Sequence, residues 1–190
     1  TYHMLFAYQM AEDKSVFKDE YKADGRKGKN GIPDILDEAK WGLEWLNRMN
    51  PEDKVMFAQI ADDRDHTHGM RWPNRDKVDY GWGPGEGRPV YFCSGEPQIR
   101  GKFINATMGV ASTAGKFASC FAMGSRILEP FYPEFAKLIG SKADAAYQEG
   151  VKKPGNCQTA SVISPYIYEE DNWVDDMELG AMELFQSTGD

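Results

Sequence analysis

The sequence predicts an all-α protein, and three observations carry that prediction. Apolar residues recur at helical spacing in four or five separate stretches of the 190-residue chain. The alternation that marks a half-buried strand is almost absent; VMFAQI at 55–60 is suited to a short buried strand or extended segment. Small residues (Ala106, Gly109, Ala111, Ala114, Ala118) share a helical stretch with Phe117 and Phe121, the pattern of a helix packed closely against a neighbour. Helices joined by long aromatic loops make an incomplete bundle or barrel.

The elements follow in order. Residues 1–12 read as the end of a buried helix, with Leu5, Phe6 and Met10 on its apolar side. A basic, glycine-rich loop, ADGRKGKNG (23–31), comes next. The clearest helix runs from Pro33 to about Met49. Pro33 suits a first-turn position, and Asp34, Asp37 and Glu38 put negative charge at the positive end of the helix dipole. Ile35, Leu36, Ala39, Leu43 and Leu46 recur at helical spacing until Asn50-Pro51 stops the run. From 61 to 103 the chain is polar, aromatic and glycine-rich, without sustained periodicity. So long an irregular stretch in a compact domain builds a site or a lid. Helical pattern returns at about 105–124, 131–149 and 172–187, the last ended by Gly189.

Composition narrows the function. The chain is 41% apolar, with 10 Phe, 9 Tyr and 5 Trp, which is the make-up of a folded domain. A net charge of −8 opposes non-specific binding to nucleic acid or to an anionic membrane surface. No apolar run approaches the roughly 20 residues a membrane-spanning helix needs, so no membrane insertion is expected. The chain opens directly on apolar residues and stops just after a helix-ending glycine, which predicts an internal segment of one longer domain, with both ends truncated. Cys93, Cys120 and Cys157 lie far apart, without the close spacing of a zinc site, and read as small buried side chains.

Three acidic clusters invite a chemical reading: Asp62-Asp63-Arg64-Asp65-His66, Glu169-Glu170-Asp171, and Asp175-Asp176. Acid–base work needs two carboxyls at a fixed separation in unequal environments, which adjacent positions seldom supply. None of the three is specific for catalysis. The stretch 61–92 is better suited to binding, with His66, His68, Arg71, Trp72, Tyr80, Trp82, Arg88 and Tyr91. Flat rings stack on apolar sugar faces while His, Arg and Asp satisfy hydroxyls; the alternative is a loop pinned to its own domain by aromatic anchors. Asp171, Asn172, Asp175 and Asp176 stand where the last helix begins. Their oxygens can enclose a hard cation such as Ca²⁺, or can cap the helix and complement its dipole.

At GIPDILDEAKWGLEWLNRM (31–49) the sequence resembles the glycoside hydrolase family 9 enzymes, the inverting cellulases. Two further stretches agree in order: AQIADDRDHTHGMRWP (58–73) is similar to that family's Asp-x-Asp-His loop, and SPYIYEEDNWVDDMELGAMELFQSTGD (164–190) to the helix that ends in its Thr-Gly-Asp. The resemblance covers essentially the whole chain. It implies part of an (α/α)6 barrel and hydrolysis of internal β-1,4 bonds in cellulose or related β-glucans with inversion. One carboxylate activates water and a carboxylic acid protonates the leaving oxygen, roughly 6.5–9.5 Å apart. The family's Asp-Ala-Gly-Asp base motif and its C-terminal Glu are not found in these residues, so no catalytic residue is assigned here.

What the resemblance carries over is binding. His66 is similar by position to the family's cleft histidine, with Arg71 and Trp72 near it, and Tyr168 (or Tyr166, if the alignment slips) to its cleft tyrosine. The resemblance also implies structural calcium at Asp171, Asn172, Asp175 and Asp176. A β-glucan is the implied partner, and secretion or periplasmic export the implied location. Two alternatives stay open: a non-catalytic carbohydrate-binding barrel, and a same-fold enzyme acting on another glycan such as xyloglucan.

Overall fold

The computed structural model describes residues 1–65, 77–164 and 169–189. Among these residues the protein is built from five helices: α1 (Tyr2–Met10), α2 (Asp34–Met49), α3 (Ala111–Leu128), α4 (Pro133–Lys152) and α5 (Val174–Thr188). Helix α3 is the hub, packing against each of the other four. Its side chains Phe121 and Met123 are fully buried among Leu5 of α1, Leu36 and Leu43 of α2, and Ile139 of α4.

The helix signals in the sequence act as expected. Leu36, Ala39 and Leu43 of α2 have no exposed surface, because their spacing puts them on one face. The N-terminal acids do more than complement a dipole. Asp34 accepts the backbone N–H groups of Glu20 and Tyr21 at 3.1 and 3.0 Å, and Asp37 accepts from the Asn30 amide at 2.7 Å and from the Tyr132 hydroxyl. These carboxylates anchor the basic loop as well as starting the helix. Helix α5 ends at Gly189, whose φ of 80° lets its N–H reach back to the Phe185 carbonyl at 2.8 Å.

The small-residue helix is real but begins later than its composition suggests, at Ala111 rather than 105. Residues 108–110 instead run against the chain that leaves α4. The N–H groups of Met108 and Gly109 donate to the Asn156 carbonyl at 2.9 and 3.1 Å, and that of Val110 donates to Lys153 at 2.9 Å. A side chain at Gly109 would lie 2.1 Å from the Pro154 carbonyl oxygen. Tertiary hydrogen bonds thus override local helical preference here. Within α3, a Cβ at Gly115 would sit 2.4 Å from the backbone of Asp176, so only glycine allows α3 and α5 to approach this closely.

The stretch 55–60 holds a strand, as its sequence suggests, and residues 61–103, read as lacking sustained periodicity, supply its partner and most of a second pair. Strand β1 (Phe57–Ile60) pairs antiparallel with β2 (Val90–Phe92), opposing Gln59 to Tyr91 and Ile60 to Val90, with a bulge between Phe57 and Gln59. Strands β3 (Ile99–Arg100) and β4 (Phe103–Ile104) form a second, minimal hairpin. Two- and three-residue strands are too short for periodicity to register.

A buried carboxylate ties three helices together. Glu183 of α5, 1% exposed, accepts from the Tyr2 hydroxyl of α1 at 2.8 Å and from the Arg126 guanidinium of α3 at 2.8 Å. Burial and the neighbouring Glu183 push the Tyr2 phenol well above its usual range. Arg126 also donates to Gln9 at 2.8 Å and Ser187 at 3.0 Å, so its charge is fully dispersed among acceptors.

Candidate functional site

Strand β1 delivers the chain into the first acidic cluster through a strained residue. Ala61 has a φ of 63°, a left-handed conformation that costs an alanine about 1–2 kcal/mol. It is held there on both sides: its N–H donates to the Pro89 carbonyl at 2.8 Å, and its carbonyl accepts from the Gln59 amide at 2.8 Å. Observed strain of this kind concentrates where a protein builds a site.

The turn Asp63–Asp65 that follows is a 3₁₀ turn whose carboxylates serve structure. Asp62 is 3% exposed and receives both arms of Arg64, at 2.8 Å from Nε and 2.6 Å from a terminal nitrogen, together with the Tyr91 hydroxyl. Burial pushes the Asp62 carboxyl up, but the Arg64 and Tyr91 hydrogen bonds outweigh it and hold it below its usual range. Tyr91 is pushed up to about 12 by burial and by Asp62. Arg64 continues to the Tyr80 carbonyl at 2.8 Å and lies over the Tyr80 ring. Asp62 is therefore an anchor that stays ionised near neutrality, unsuited to donate or take a proton there.

Asp63 reaches across the fold. Its carboxylate accepts the backbone N–H groups of Val162 at 2.7 Å, Ile163 at 3.1 Å and Ser164 at 2.5 Å. Burial again acts upward, and the three N–H groups overcome it, so the carboxyl stays below its usual range. Gln59 adds a reciprocal pair with Ala160, donating at 3.1 Å and accepting at 2.8 Å. Gln158 does the same with the backbone of Glu170, at 2.7 and 3.0 Å. Segment 59–65 is thereby knit to 158–164, about a hundred positions on, and Gln158 ties Glu170 into the same wall.

His66, Arg71, Trp72 and Tyr168 lie outside the described residues. Asp65, which His66 follows directly, and Ser164, four positions before Tyr168, belong to the segments that Asp63 joins. Among the other aromatic residues of 61–92, Tyr80 is buried and Tyr91 is bonded to Asp62, so both are anchors, whereas Trp82 is 55% exposed and donates its indole N–H to Gly87 at 2.7 Å. Sequence reasoning passed over two further tryptophans. Trp41 and Trp45, one turn apart on α2, are exposed, and each lines a cavity: Trp41 one of about 730 Å³ with Tyr21, Asp34 and Glu38, Trp45 one of about 230 Å³ with Phe57, Lys116 and Glu170. Their signal was an aromatic pair on the face of α2 that the apolar stripe does not use.

At the start of α5 the residues expected to hold calcium make other contacts. Asn172 accepts the N–H of Val174 at 3.1 Å, and Asp175 that of Asp176 at 3.0 Å. Asp176 faces the ammonium of Lys116 at 3.3 Å, and Lys116 also pairs with Glu170. Burial acts to lower the Lys116 pKa, but its two carboxylate partners raise it above the usual range. Burial raises the Asp176 carboxyl, with Lys116 opposing. Among the described residues no group of three or more His, Cys, Asp or Glu side chains is arranged to hold a metal. Among the four expected donors, the Asn172 and Asp175 side chains accept backbone N–H groups and Asp176 pairs with Lys116.

The comparison that decides the family is with family models. The glycosyl hydrolase family 9 model matches residues 1–190. The chain belongs to that family. Endoglucanase C of Cellulomonas fimi is 29% identical over 167 residues, covering 85% of this chain and 13% of that protein. A cellulose 1,4-beta-cellobiosidase of Acetivibrio thermocellus is 26% identical over 170 residues, covering 84% of the chain and 16% of that protein. The chain thus spans a small part of the length of these curated relatives.

Solved structures agree on the architecture. A metagenome-derived family 9 endoglucanase superposes with a TM-score of 0.65 at 27% identity, covering 98% of this chain and 29% of that one. The endoglucanase of the termite Nasutitermes takasagoensis superposes with a TM-score of 0.61 at 14% identity, covering 100% of this chain and 37% of that one, which is a likeness of fold. The five helices are part of the family's (α/α)6 barrel. No helix among the described residues is long and apolar enough to cross a membrane.

Proposed function

We propose that the protein carrying this chain hydrolyses internal β-1,4-glucosidic bonds in cellulose or a related β-glucan, with inversion at the anomeric carbon. The observation that carries this reading is the family 9 match across residues 1–190, joined to relatives named for endoglucanase and cellobiosidase action. In an inverting reaction one carboxylate takes a proton from water while a carboxylic acid protonates the leaving oxygen. Neither family motif for those groups occurs here, so the part proposed for this chain is to hold the glycan. His66, Arg71, Trp72 and Tyr168 are its proposed cleft residues, the ring stacking on a sugar face and the polar groups meeting hydroxyls. The hydrogen bonds from Val162–Ser164 to Asp63 support that reading, because they join the segments from which these residues continue. An insoluble polysaccharide is met outside the cytoplasm, so the proposed location is extracellular or periplasmic. For the start of α5 we propose that the Lys116 ammonium supplies the positive charge that the family resemblance assigns to calcium.

The test is hydrolysis of a soluble cellulose derivative by the full protein. A viscosity that falls faster than reducing ends accumulate marks internal cleavage. Absence of reducing ends on cellulose, mixed-linkage glucan and xyloglucan alike would overturn the proposal.

A further inference from the structure

Trp82 sits in the turn that Asp79 and Pro84 close, and that turn is tightly bonded. The Asp79 carboxylate accepts the N–H groups of Gly81 at 2.8 Å and Gly83 at 3.0 Å, and the Gly85 N–H donates to the Val78 carbonyl at 3.2 Å. Gly81 and Gly83, on either side of the tryptophan, have φ of 110° and 121°, so the backbone that presents this ring depends on glycine at both. The indole N–H donates to the Gly87 carbonyl at 2.7 Å, which fixes the orientation of the ring. Tryptophan is highly buried on average, yet here more than half of it is exposed while its one polar group is satisfied inside the loop. A flat ring already held still loses little freedom when a ligand covers it.

The base of the loop ties it to the acidic turn. Val78 and Tyr80 are buried together with Ala61, the strained residue at the head of that turn. The Tyr80 carbonyl accepts from Arg64 at 2.8 Å, and its hydroxyl donates to the Asp65 carboxylate at 3.4 Å. The Tyr80 and Trp82 rings lie 6.2 Å apart with 30° between their planes, so Tyr80 packs beside the exposed ring. Trp82 thus belongs to the same packed unit as Asp65, which His66 follows directly in sequence.

We propose, on the β-glucan reading above, that Trp82 is a stacking platform for one pyranose ring of the bound glycan, a sugar-binding position in addition to His66, Arg71, Trp72 and Tyr168. A β-1,4-linked glucosyl unit carries its hydroxyls around the ring edge and C–H groups on its faces. An indole whose N–H is already used offers such a sugar its π face, and offers no donor to an anion or a peptide carbonyl.

The test compares Trp82→Ala, Trp82→Leu and Trp82→Tyr with the wild type in the full protein. Each is titrated calorimetrically with a thio-linked cello-oligosaccharide, whose sulfur bridges resist hydrolysis, and assayed on cellohexaose; circular dichroism checks folding. Trp82→Ala and Trp82→Leu should bind about 3–10-fold more weakly, with KM for cellohexaose rising more than kcat falls, and Trp82→Tyr should recover most of the affinity because it keeps a flat ring. Wild-type affinity in Trp82→Ala, or recovery by Trp82→Leu equal to that by Trp82→Tyr, would overturn the platform while leaving the β-glucan reading intact. A wild type that neither binds nor cleaves any β-glucan would overturn both.

Discussion

The Asp63 carboxylate accepts the backbone N–H of Val162 at 2.7 Å across 99 residues of sequence, and takes the next two N–H groups as well. One side chain thus replaces the strand pairing that would otherwise satisfy this turn. It also fixes where the two loops proposed to line the glycan cleft leave the barrel.

Replacing Asp63 by Ala strands three donors, those of Val162 and Ser164 partly buried and that of Ile163 exposed. Stability should fall by about 1–3 kcal/mol. If the loops bind glycan, KM for cello-oligosaccharides should rise more than kcat falls. Denaturant melts with steady-state kinetics check both, and an unchanged KM would separate Asp63 from the cleft.

Asp62 and Asp63 both have depressed carboxyl pKa values in the folded state. The folded protein therefore binds fewer protons than the unfolded chain near pH 4, and their contribution is complete above the ordinary carboxylate pKa of about 4. It is lost as pH falls through their lowered values. Acid unfolding of Asp63→Asn, followed by circular dichroism, should show a shallower loss of stability with falling pH than the wild type. An identical acid limb would contradict this.

At the start of α5 the account expects independence from calcium. EDTA should leave Tm unchanged, and Lys116→Met should lower stability by about 1 kcal/mol, since the pair is half exposed. A Tm that drops with EDTA and recovers with added calcium would restore the cation reading.

Gly115→Ala probes the closest helix contact. The added methyl would lie 2.4 Å from backbone atoms of Asp176, which cannot rotate away as a side chain can. A loss of about 1–3 kcal/mol is expected from the forced separation of α3 and α5, read by chemical denaturation. Undiminished stability would mean the helices pack more loosely.

How much of this was legible beforehand differs by element. Helix α2 could be read directly, because Leu36, Ala39 and Leu43 repeat at the helical period and bury completely. The end of α5 was equally plain, because a glycine was needed for the left-handed turn at 189. The start of α3 misled, since Ala106 and Gly109 look helical while Asn156 and Lys153, some forty residues on, claim the backbone donors of 108–110. For the same reason no spacing rule could pair Tyr2 with Glu183 or Lys116 with Asp176. Those contacts depend on how the helices stack, and local periodicity carries no information about it. The proposed cleft residues rest on the family resemblance, and the acidic cluster beside them proved to be scaffold.

The central claim is inverting hydrolysis of a β-1,4-glucan, and the most direct measurement is the anomeric form of the first product. Proton NMR of cellopentaose hydrolysed by the full protein, recorded before mutarotation, should show the new reducing end as the α-anomer. A first product in the β-form, or no cleavage of the oligosaccharide at all, would contradict the account.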